Sequence, residues 1–348
     1  MSEYYITEVS IEDANRLQQI DQLLEREGIR RDANLDYICA MYDEEQNLIA
    51  TGSCYGNTLR CMAVRSSHQG EGLMNQIVTY LLEVQFERGN SHLFLYTKCE
   101  SAAFFAQLGF YEIVRVDDQI VFMENKKNGF NTYLKKLKEC APKAKSVAAI
   151  VMNANPFTLG HQYLVEKAAS ENEIVHLFVV SEEQSIVPFD VRKRLVLEGT
   201  RHLSNVCYHD TGFYMISNNT FPSYFQRDQE AVIESHARLD LAIFLKIAQE
   251  MQITCRYVGE EPFSIVTGIY NRIMEQELSK EGIVCHIIKR KMVNHSAISA
   301  SHVRKALKDD DYKKLKQMVP DSTLQYFTSL EAEPVIQRIK NEEMVVHY

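Results

Sequence analysis

In the second half of the chain, short apolar runs alternate with longer helical patterns, and this alternation restricts the fold more than any other feature. Apolar runs stand at 146–152, 174–180, 205–209, 254–258 and 283–289, and helical periodicity fills about 160–171, 190–202, 229–251, 265–281 and 299–308. A strand followed by a helix, repeated along the whole segment, predicts an α/β fold with a Rossmann-like parallel sheet and helices on both faces. In such sheets ligands bind beyond the carboxyl ends of the strands, so functional residues are expected in the loops that follow each run.

The first half is patterned differently. A helix near 11–27 precedes strand patterns at 36–42, 47–55 and 58–65. A helix at 72–88, a strand at 93–97, a helix at 101–108 and a last strand pair follow. This mixture predicts a separate α+β domain. Between the halves, residues 126–145 contain seven Lys and one Glu. The boundary is placed there, giving domains at 1–125 and 146–348 with a Lys-rich linker at 126–145. The linker is read as a solvated spacer carrying a short amphipathic helix around Tyr133 to Cys140.

Charge and cysteine usage exclude several function classes. A formal charge of −9 argues against nucleic acid as the main partner, because phosphate-backbone binding needs clustered Lys and Arg. The eight cysteines, at 39, 54, 61, 99, 140, 207, 255 and 285, form no CxxC pair and several lie inside apolar runs. Reduced core thiols are therefore expected rather than zinc or disulfides. The first residues lack the basic and apolar regions of a secretory signal, and no apolar run approaches the ~18–20 residues of a membrane span. A cytoplasmic location is expected.

Two segments carry chemistry in the second half. Asn153 to His161 follows the first strand and leads into a helix beginning near Gly160. A helix N-terminus offers unpaired N–H groups and partial positive charge to a phosphate. Gly160 removes a Cβ where phosphate approaches the backbone, Thr158 adds a hydroxyl, and His161 can donate to an oxygen whose charge grows as pyrophosphate leaves. The second segment, Ile298 to Arg304, opens the last helix with Ser299 and Ser301 and places a guanidinium one turn further in. Such a set suits the β- and γ-phosphates from the opposite side. Arg192, after the second strand, can reach phosphate or an acid substrate, or lie on the helix surface. Gly259, in Tyr257 to Pro262 after the fourth strand, gives a nucleoside room to approach. Thr267, Tyr270 and Asn271 lie in the next helix. The polar and aromatic stretch Ser217 to Phe225 is placed to shape a second-substrate pocket.

These strings resemble the T/HxGH nucleotidyltransferase superfamily, with Thr158, Gly160 and His161 matching its first signature. Ile298, Ser299, Ser301 and Arg304 match the second, which departs at Ala300, where many relatives carry a hydroxyl. The resemblance implies in-line attack on the α-phosphate of ATP, with Mg²⁺ bridging phosphates and no covalent enzyme intermediate.

In the first half, Gln69, Gly70 and Gly72 make a turn between a strand and a helix that can hold a pyrophosphate. It resembles the acyl-CoA motif of GNAT acetyltransferases, departing at Met74. Phe104-Phe105 and Gly109-Phe110 resemble the second half of that fold. Glu100 and Tyr111 are the candidates for a general base.

A GNAT-like domain followed by a TxGH domain resembles the citrate lyase ligase family over essentially the whole chain. Further matching strings are Thr220 to Phe225 and Arg256 to Pro262. The resemblance implies that ATP and acetate form acetyl-adenylate and pyrophosphate. It also implies that the thiol of a CoA-derived prosthetic group on the citrate lyase acyl-carrier subunit then takes the acetyl group, releasing AMP. The expected catalytic residues are His161, Thr158 and Arg304. Asn155, Gly160, Ser299, Ser301, Arg192 and Gly259 are expected at ATP, and Gln69, Gly70 and Gly72 at the thiol arm. No metal is expected to be held by the protein itself. Two rivals stay open. One is an adenylyltransferase making a nucleotide cofactor of the pantetheine-phosphate or pyridine-mononucleotide type. The other is a non-catalytic sensor of nucleotide and acyl-CoA.

Overall fold

The chain divides into two units, residues 1–131 with 220–242, and residues 132–219 with 243–348. The computed structural model describes residues 4–139, 141–181, 185–215, 229–260, 265–293 and 296–341, with the backbone alone for 229–231 and 265–267.

The first unit is built on a mixed sheet. Its strands are β1 (Tyr5–Glu8), β2 (Tyr37–Tyr42), β3 (Leu48–Tyr55), β4 (Thr58–Val64), β5 (Phe94–Thr97), β6 (Tyr111–Val116) and β7 (Ile120–Glu124). They lie in the order β1-β2-β3-β4-β5-β7-β6. Alternate residues of β2 serve opposite faces, as the period of a strand requires. Ile38 and Ala40 pack with Leu17, Ile20 and Leu24 of α1 (Ala14–Arg26), whereas Cys39 and Met41 pack with Leu73, Ile77 and Leu81 of α2 (Leu73–Glu87). A sheet covered on both faces explains why β2 reads as a continuous apolar run. The short α3 (Ala102–Gln107) adds Phe105 to the second core. β4 and β5 are parallel and pair only at Thr58–Phe94 and Leu59–Leu95. The ladder stops there, leaving the rest of β4 unpaired toward β5. The turn carrying Gln69 to Gly72 follows the end of β4. Arg60 and Asp32 form a buried ion pair in this unit, 2.6 Å apart.

The Lys-rich segment is not a separate spacer. Gly129–Glu139 forms a helix, α4, that buries Phe130, Leu134 and Leu137 on one side and leaves Lys135, Lys136 and Lys138 exposed. Its first turn is held by Glu124, whose carboxylate accepts from the Phe130 N–H at 2.7 Å. The helix expected around Tyr133 to Cys140 is present and starts earlier, the spacing of Phe130, Leu134 and Leu137 giving it one apolar side.

The second unit holds β8 (Val147–Met152), β9 (Ile174–Val179), β10 (Val206–Asp210), β11 (Cys255–Gly259) and β12 (Val284–Ile288), in the order β10-β9-β8-β11-β12. Every pairing is parallel. The chain winds outward from β8 to β10, then crosses to the other side of β8 to place β11. The gap between the ends of β8 and β11 is therefore the switch point at which such sheets bind ligands. The helices are α5 (Leu159–Glu171), α6 (Phe189–Thr200), α7 (Gln229–Met251), α8 (Ile265–Lys280) and α9 (Ala300–Lys308). Residues of α7 up to Ala242 belong to the first unit and those from Ile243 to the second. The sequence pattern gave no sign of this division.

A small hairpin, β13 (Met292–Val293) with β14 (Ser296–Ala297), precedes α9. Three short helices follow it: α10 (Tyr312–Lys316), α11 (Asp321–Phe327) and α12 (Glu333–Asn341). They close the core over Phe157, Val303, Leu307 and Leu315. Cys39, Cys54 and Cys61 are buried free thiols, and burial pushes them up to about 12, 11 and 12, so they stay protonated and serve packing. Among the described residues no helix is long and apolar enough to cross a membrane.

Candidate functional site

The loop after β8 turns into α5 at Thr158, which is the N-cap. The Thr158 hydroxyl accepts from the His161 N–H at 3.2 Å, and Nδ1 of His161 accepts from the Thr158 N–H at 3.1 Å. This is a capping box in which His161 replaces the usual acidic residue. It fixes the tautomer of the ring. With Nδ1 committed as an acceptor, the proton resides on Nε2, and Nε2–H is left to donate. Burial, with a smaller contribution from the Arg290 charge, pushes His161 down to about 4, so the ring is neutral at physiological pH.

Ser299 caps α9 in the same manner, accepting from the His302 N–H at 3.1 Å, and its own O–H stays available to donate. The two caps sit against each other. A Cβ added at Gly160 would lie 3.4 Å from the Ile298 carbonyl oxygen and 3.4 Å from Thr158 Oγ1. Gly160 thus makes room for the second motif, a packing role beyond the one expected of it toward phosphate. Arg304 binds the loops together. Its Nη1 donates to the Asn155 carbonyl at 2.6 Å and its Nη2 faces Ser301 Oγ at 3.5 Å. The Asn155 side chain accepts from the Val187 N–H at 3.0 Å. The Leu159 N–H is taken by the Met318 carbonyl at 2.9 Å. Two helix N-termini and a half-buried guanidinium so converge beyond the strand ends, an arrangement that stabilises anionic oxygen.

Gly259 ends β11 at the switch point, and a Cβ there would meet nothing within 4 Å. The space beside it is open. Tyr270 and Asn271 lie on α8, together with Thr267, whose side chain is outside the described residues. Residues 217–225 and Pro262 also lie outside the described residues.

Arg192 departs from both expectations. It is neither on the helix surface nor open to an anion, being 0% exposed. Its Nη1 donates to the Asn153 carbonyl (2.7 Å), Asn153 Oδ1 (2.8 Å) and the Val180 carbonyl (2.8 Å), and its Nε donates to the Val187 carbonyl (3.0 Å). These acceptors close the ends of β8 and β9. The first turn of α6 points inward, and a guanidinium satisfies carbonyls that no strand partner reaches.

In the first unit, Gly70 and Gly72 adopt φ of +89° and +77°, and both face open space. Only glycine enters such backbone without strain. Gln69, Gly70, Glu71 and Gly72 are exposed as a turn at the start of α2. Acidic groups flank it. Glu27 accepts from the Ser66 N–H at 3.0 Å and lies 3.4 Å from Gln69 Nε2, and Glu71 accepts from the Tyr4 hydroxyl at 2.6 Å. Glu100 is exposed in the 3₁₀ turn Cys99–Ser101, and Tyr111 opens β6 at 40% exposure.

Arg290 was not anticipated. It follows β12, and its Nε donates to the Glu260 carbonyl beyond β11 at 2.8 Å. The sequence signal was present, since a Lys289-Arg290-Lys291 run stands past the carboxyl end of a strand.

Comparisons with known proteins agree with this layout. The citrate lyase ligase C-terminal domain family matches residues 147–327, and the acetyltransferase (GNAT) family matches residues 3–110. A [citrate [pro-3S]-lyase] ligase of Klebsiella pneumoniae is 36% identical over 325 residues, covering 92% of this chain and 95% of that protein. The protein of the same name from Haemophilus influenzae is 35% identical over 320 residues, covering 90% and 96%. That of Escherichia coli is 36% identical over 330 residues, covering 93% and 94%.

Proposed function

Because this chain belongs to the citrate lyase ligase family, we propose that it spends ATP to acetylate the thiol of a CoA-derived group on the citrate lyase acyl-carrier subunit, through acetyl-adenylate. The observation that supports the adenylyl step most directly is the junction of the two motifs, with Gly160 against Ile298 and Arg304 on the Asn155 carbonyl. It brings two helix N-termini, a neutral imidazole and a guanidinium together beyond the end of β8.

In this reading a carboxylate oxygen of acetate attacks the α-phosphorus of ATP. The bond from that phosphorus to the bridging oxygen breaks, and pyrophosphate leaves with the electron pair. His161 donates from Nε2 to a phosphate oxygen as charge accumulates. Thr158 holds the ring in the donating tautomer. Ser299, Ser301 and Arg304 steady the outer phosphates. Among the described residues no group of three or more His, Cys, Asp or Glu side chains is placed to hold a metal. In this reading Mg²⁺ would enter with the phosphates of the nucleotide, and none of these residue roles depends on it.

In the second step the carrier thiol loses its proton and attacks the acetyl carbonyl, forming the thioester and releasing AMP. The Gln69 to Gly72 turn supports docking of the pyrophosphate of the prosthetic arm. Among the described residues, the cations next to the ends of β9 and β10 are already engaged, which supports a carboxylate over a phosphorylated second substrate. Arg192 is spent on carbonyls, and Lys193 is paired with Asp210 at 2.7 Å.

The test is ATP–pyrophosphate exchange with a panel of small carboxylates. Acetate-dependent exchange is expected. Exchange that requires a phosphorylated cofactor precursor instead would overturn the reading.

A further inference from the structure

A small polar cavity of about 180 Å³ lies in the first unit, between one face of α1, the β2–β3 turn and the residue that follows β4. Gln19, Gln22 and Arg26 line it from α1 at helical spacing, Gln46 and Asn47 from the turn, and Arg65 from the end of β4. Its walls are fixed. The Arg65 N–H donates to the Ile49 carbonyl at 2.8 Å. Asp43 holds the turn, accepting from the Asn47 N–H at 2.7 Å and from its Nδ2 at 3.0 Å. Oε1 of Gln46 accepts from the Tyr5 hydroxyl at 2.5 Å, which leaves Nε2 to donate.

The two arginines set this cavity apart. The chain carries 47 acidic against 38 basic side chains, so carboxylates are in excess. Arg16, Arg31, Arg60 and Arg88 of the same unit are paired with Asp13, Asp21, Asp32 and Asp36. Arg26 and Arg65 have no carboxylate partner among the described residues. Nε of Arg65 is closed off from water and has no hydrogen-bond partner among them, a cost that a purely structural arginine would not carry. The acids nearby are committed elsewhere, Asp43 to Asn47 and Glu27 to the Ser66 N–H (3.0 Å) and hydroxyl (2.7 Å). Glu27 and Ser66 are the chain neighbours of Arg26 and Arg65, so this one bonded pair brings the two arginines to the same place. Arg26, in the last turn of α1, also complements that helix end. Arg65 follows a strand and has no such use.

We propose that the Arg26–Arg65 cavity is an anion site that takes a phosphate group. Two guanidinium forks with the amide of Gln46 offer more donors than the two oxygens of a carboxylate accept, and they match the outward oxygens of a phosphate. The volume is below the ~300 Å³ at which sites for whole small molecules begin, so a phosphate group enters and not a whole nucleotide. The cavity adjoins the Gln69 to Gly72 turn, since the Glu27 that binds Ser66 also lies 3.4 Å from Gln69 Nε2. A phosphate at the nucleoside end of the CoA-derived arm is therefore one source, and a free phosphoryl compound is the other. The arm as source rests on the function proposed above, whereas the site itself does not.

The experiment uses the full chain as wild type, Arg65→Gln and Arg26→Gln/Arg65→Gln, with inorganic phosphate, coenzyme A and dephospho-coenzyme A as probes. Affinities are measured by calorimetry, and the Arg65 Nε–H signal, assigned by its loss in Arg65→Gln, is followed by NMR. Inorganic phosphate is expected to shift that signal, and its affinity is expected to fall roughly tenfold or more in the double variant, the scale of a lost charge-assisted contact. If coenzyme A binds the wild type more tightly than dephospho-coenzyme A does, and the double variant binds both alike, the site is upheld with the arm as its source. If the two bind the wild type alike while inorganic phosphate still shifts the Arg65 signal, the site is upheld with a free phosphoryl compound as its ligand. An Arg65 signal unmoved by both phosphate and coenzyme A would overturn the proposal, as would affinities unchanged in the double variant. Absence of acetate-dependent exchange in the wild type would instead overturn the function proposed above, and the phosphate titration would still decide the site.

Discussion

The rings of Phe157 and His161 lie nearly parallel, with planes 15° apart and centroids 5.9 Å apart. Phe157 is fully buried, and Gly199 of α6 makes its place, since a Cβ there would stand 2.5 Å from Cε1 of Phe157. The orientation of His161 is thus set from behind by a glycine in another helix. Gly199→Ala is expected to cost about 1–3 kcal/mol by overpacking. It should also lower kcat/KM for exchange, because Phe157 must tilt and carry the imidazole with it. Adding Phe157→Leu should restore stability in a denaturant titration but leave activity low.

His161→Ala should abolish acetyl-adenylate formation while leaving a supplied acetyl-adenylate usable by the thiol. The two half-reactions are assayed separately, and an equal fall in both would remove the role given to the ring. Since the pKa of His161 lies near 4, its titration should leave exchange unaffected from pH 8 down to about 5. Below about 4, protonated Nδ1 would face the Thr158 N–H donor to donor, and the capping box should open.

Arg192→Met should act on stability rather than on nucleotide affinity. It removes the donor shared by Asn153, Val180 and Val187 and leaves buried carbonyls unpaired, a loss of about 2–4 kcal/mol. The urea midpoint should fall, with KM for ATP changing less than about threefold in the folded protein. A large KM effect at unchanged stability would return Arg192 to the phosphate site.

Gly72→Val should force a β-branched residue into φ near +77°, at about 1–3 kcal/mol of local strain. Use of the carrier thiol is expected to drop, with acetate-dependent exchange spared. If both activities fell together, the turn would not be dedicated to the prosthetic arm.

His176 and His209, side by side on β9 and β10, hold Nδ1 and Nε2 2.9 Å apart in the core. Burial is the main cause that pushes both down to about 4. Above pH 6.5 neither the folded nor the unfolded chain protonates them, and they add no pH dependence. Between 6.5 and 4 the unfolded chain takes up protons that the folded chain refuses. Stability should therefore fall with falling pH, by up to about 1.4 kcal/mol per unit for each ring, and level off below 4. The urea midpoint of the wild type should fall more steeply than that of His176→Phe/His209→Leu as pH drops from 7 to 5.

Much of this architecture was legible because its signals are local. The apolar runs at 146–152 and 254–258 became β8 and β11 with boundaries moved by a residue or so. The short motifs marked the helix starts that Thr158 and Ser299 cap. What escaped depends on contacts distant in sequence. Arg192 reads as a phosphate ligand or a surface residue until the carbonyls of Asn153 and Val180 are seen to surround it. Arg290 stands in a basic run past a strand end that marks no site by itself, and the bond from the Ile298 N–H to the Lys291 carbonyl ties its segment to the start of the second motif. The helix expected around Tyr133 to Cys140 begins earlier, at Gly129, because Phe130 is buried with Leu134 and Leu137. The passage of residues 220–242 into the first unit has no compositional mark.

The bond from Arg304 to the Asn155 carbonyl joins positions 149 apart in the chain. During synthesis the loop after β8 emerges long before the guanidinium that completes it. Closing so long a loop has to wait for the strands between to assemble. The sheet can begin to form around β8 and β9 while the junction of the two motifs does not yet exist. On the proposed reading, nucleotide binding is thereby tied to the last helices of the unit taking their places, and a partly made chain would not start the reaction.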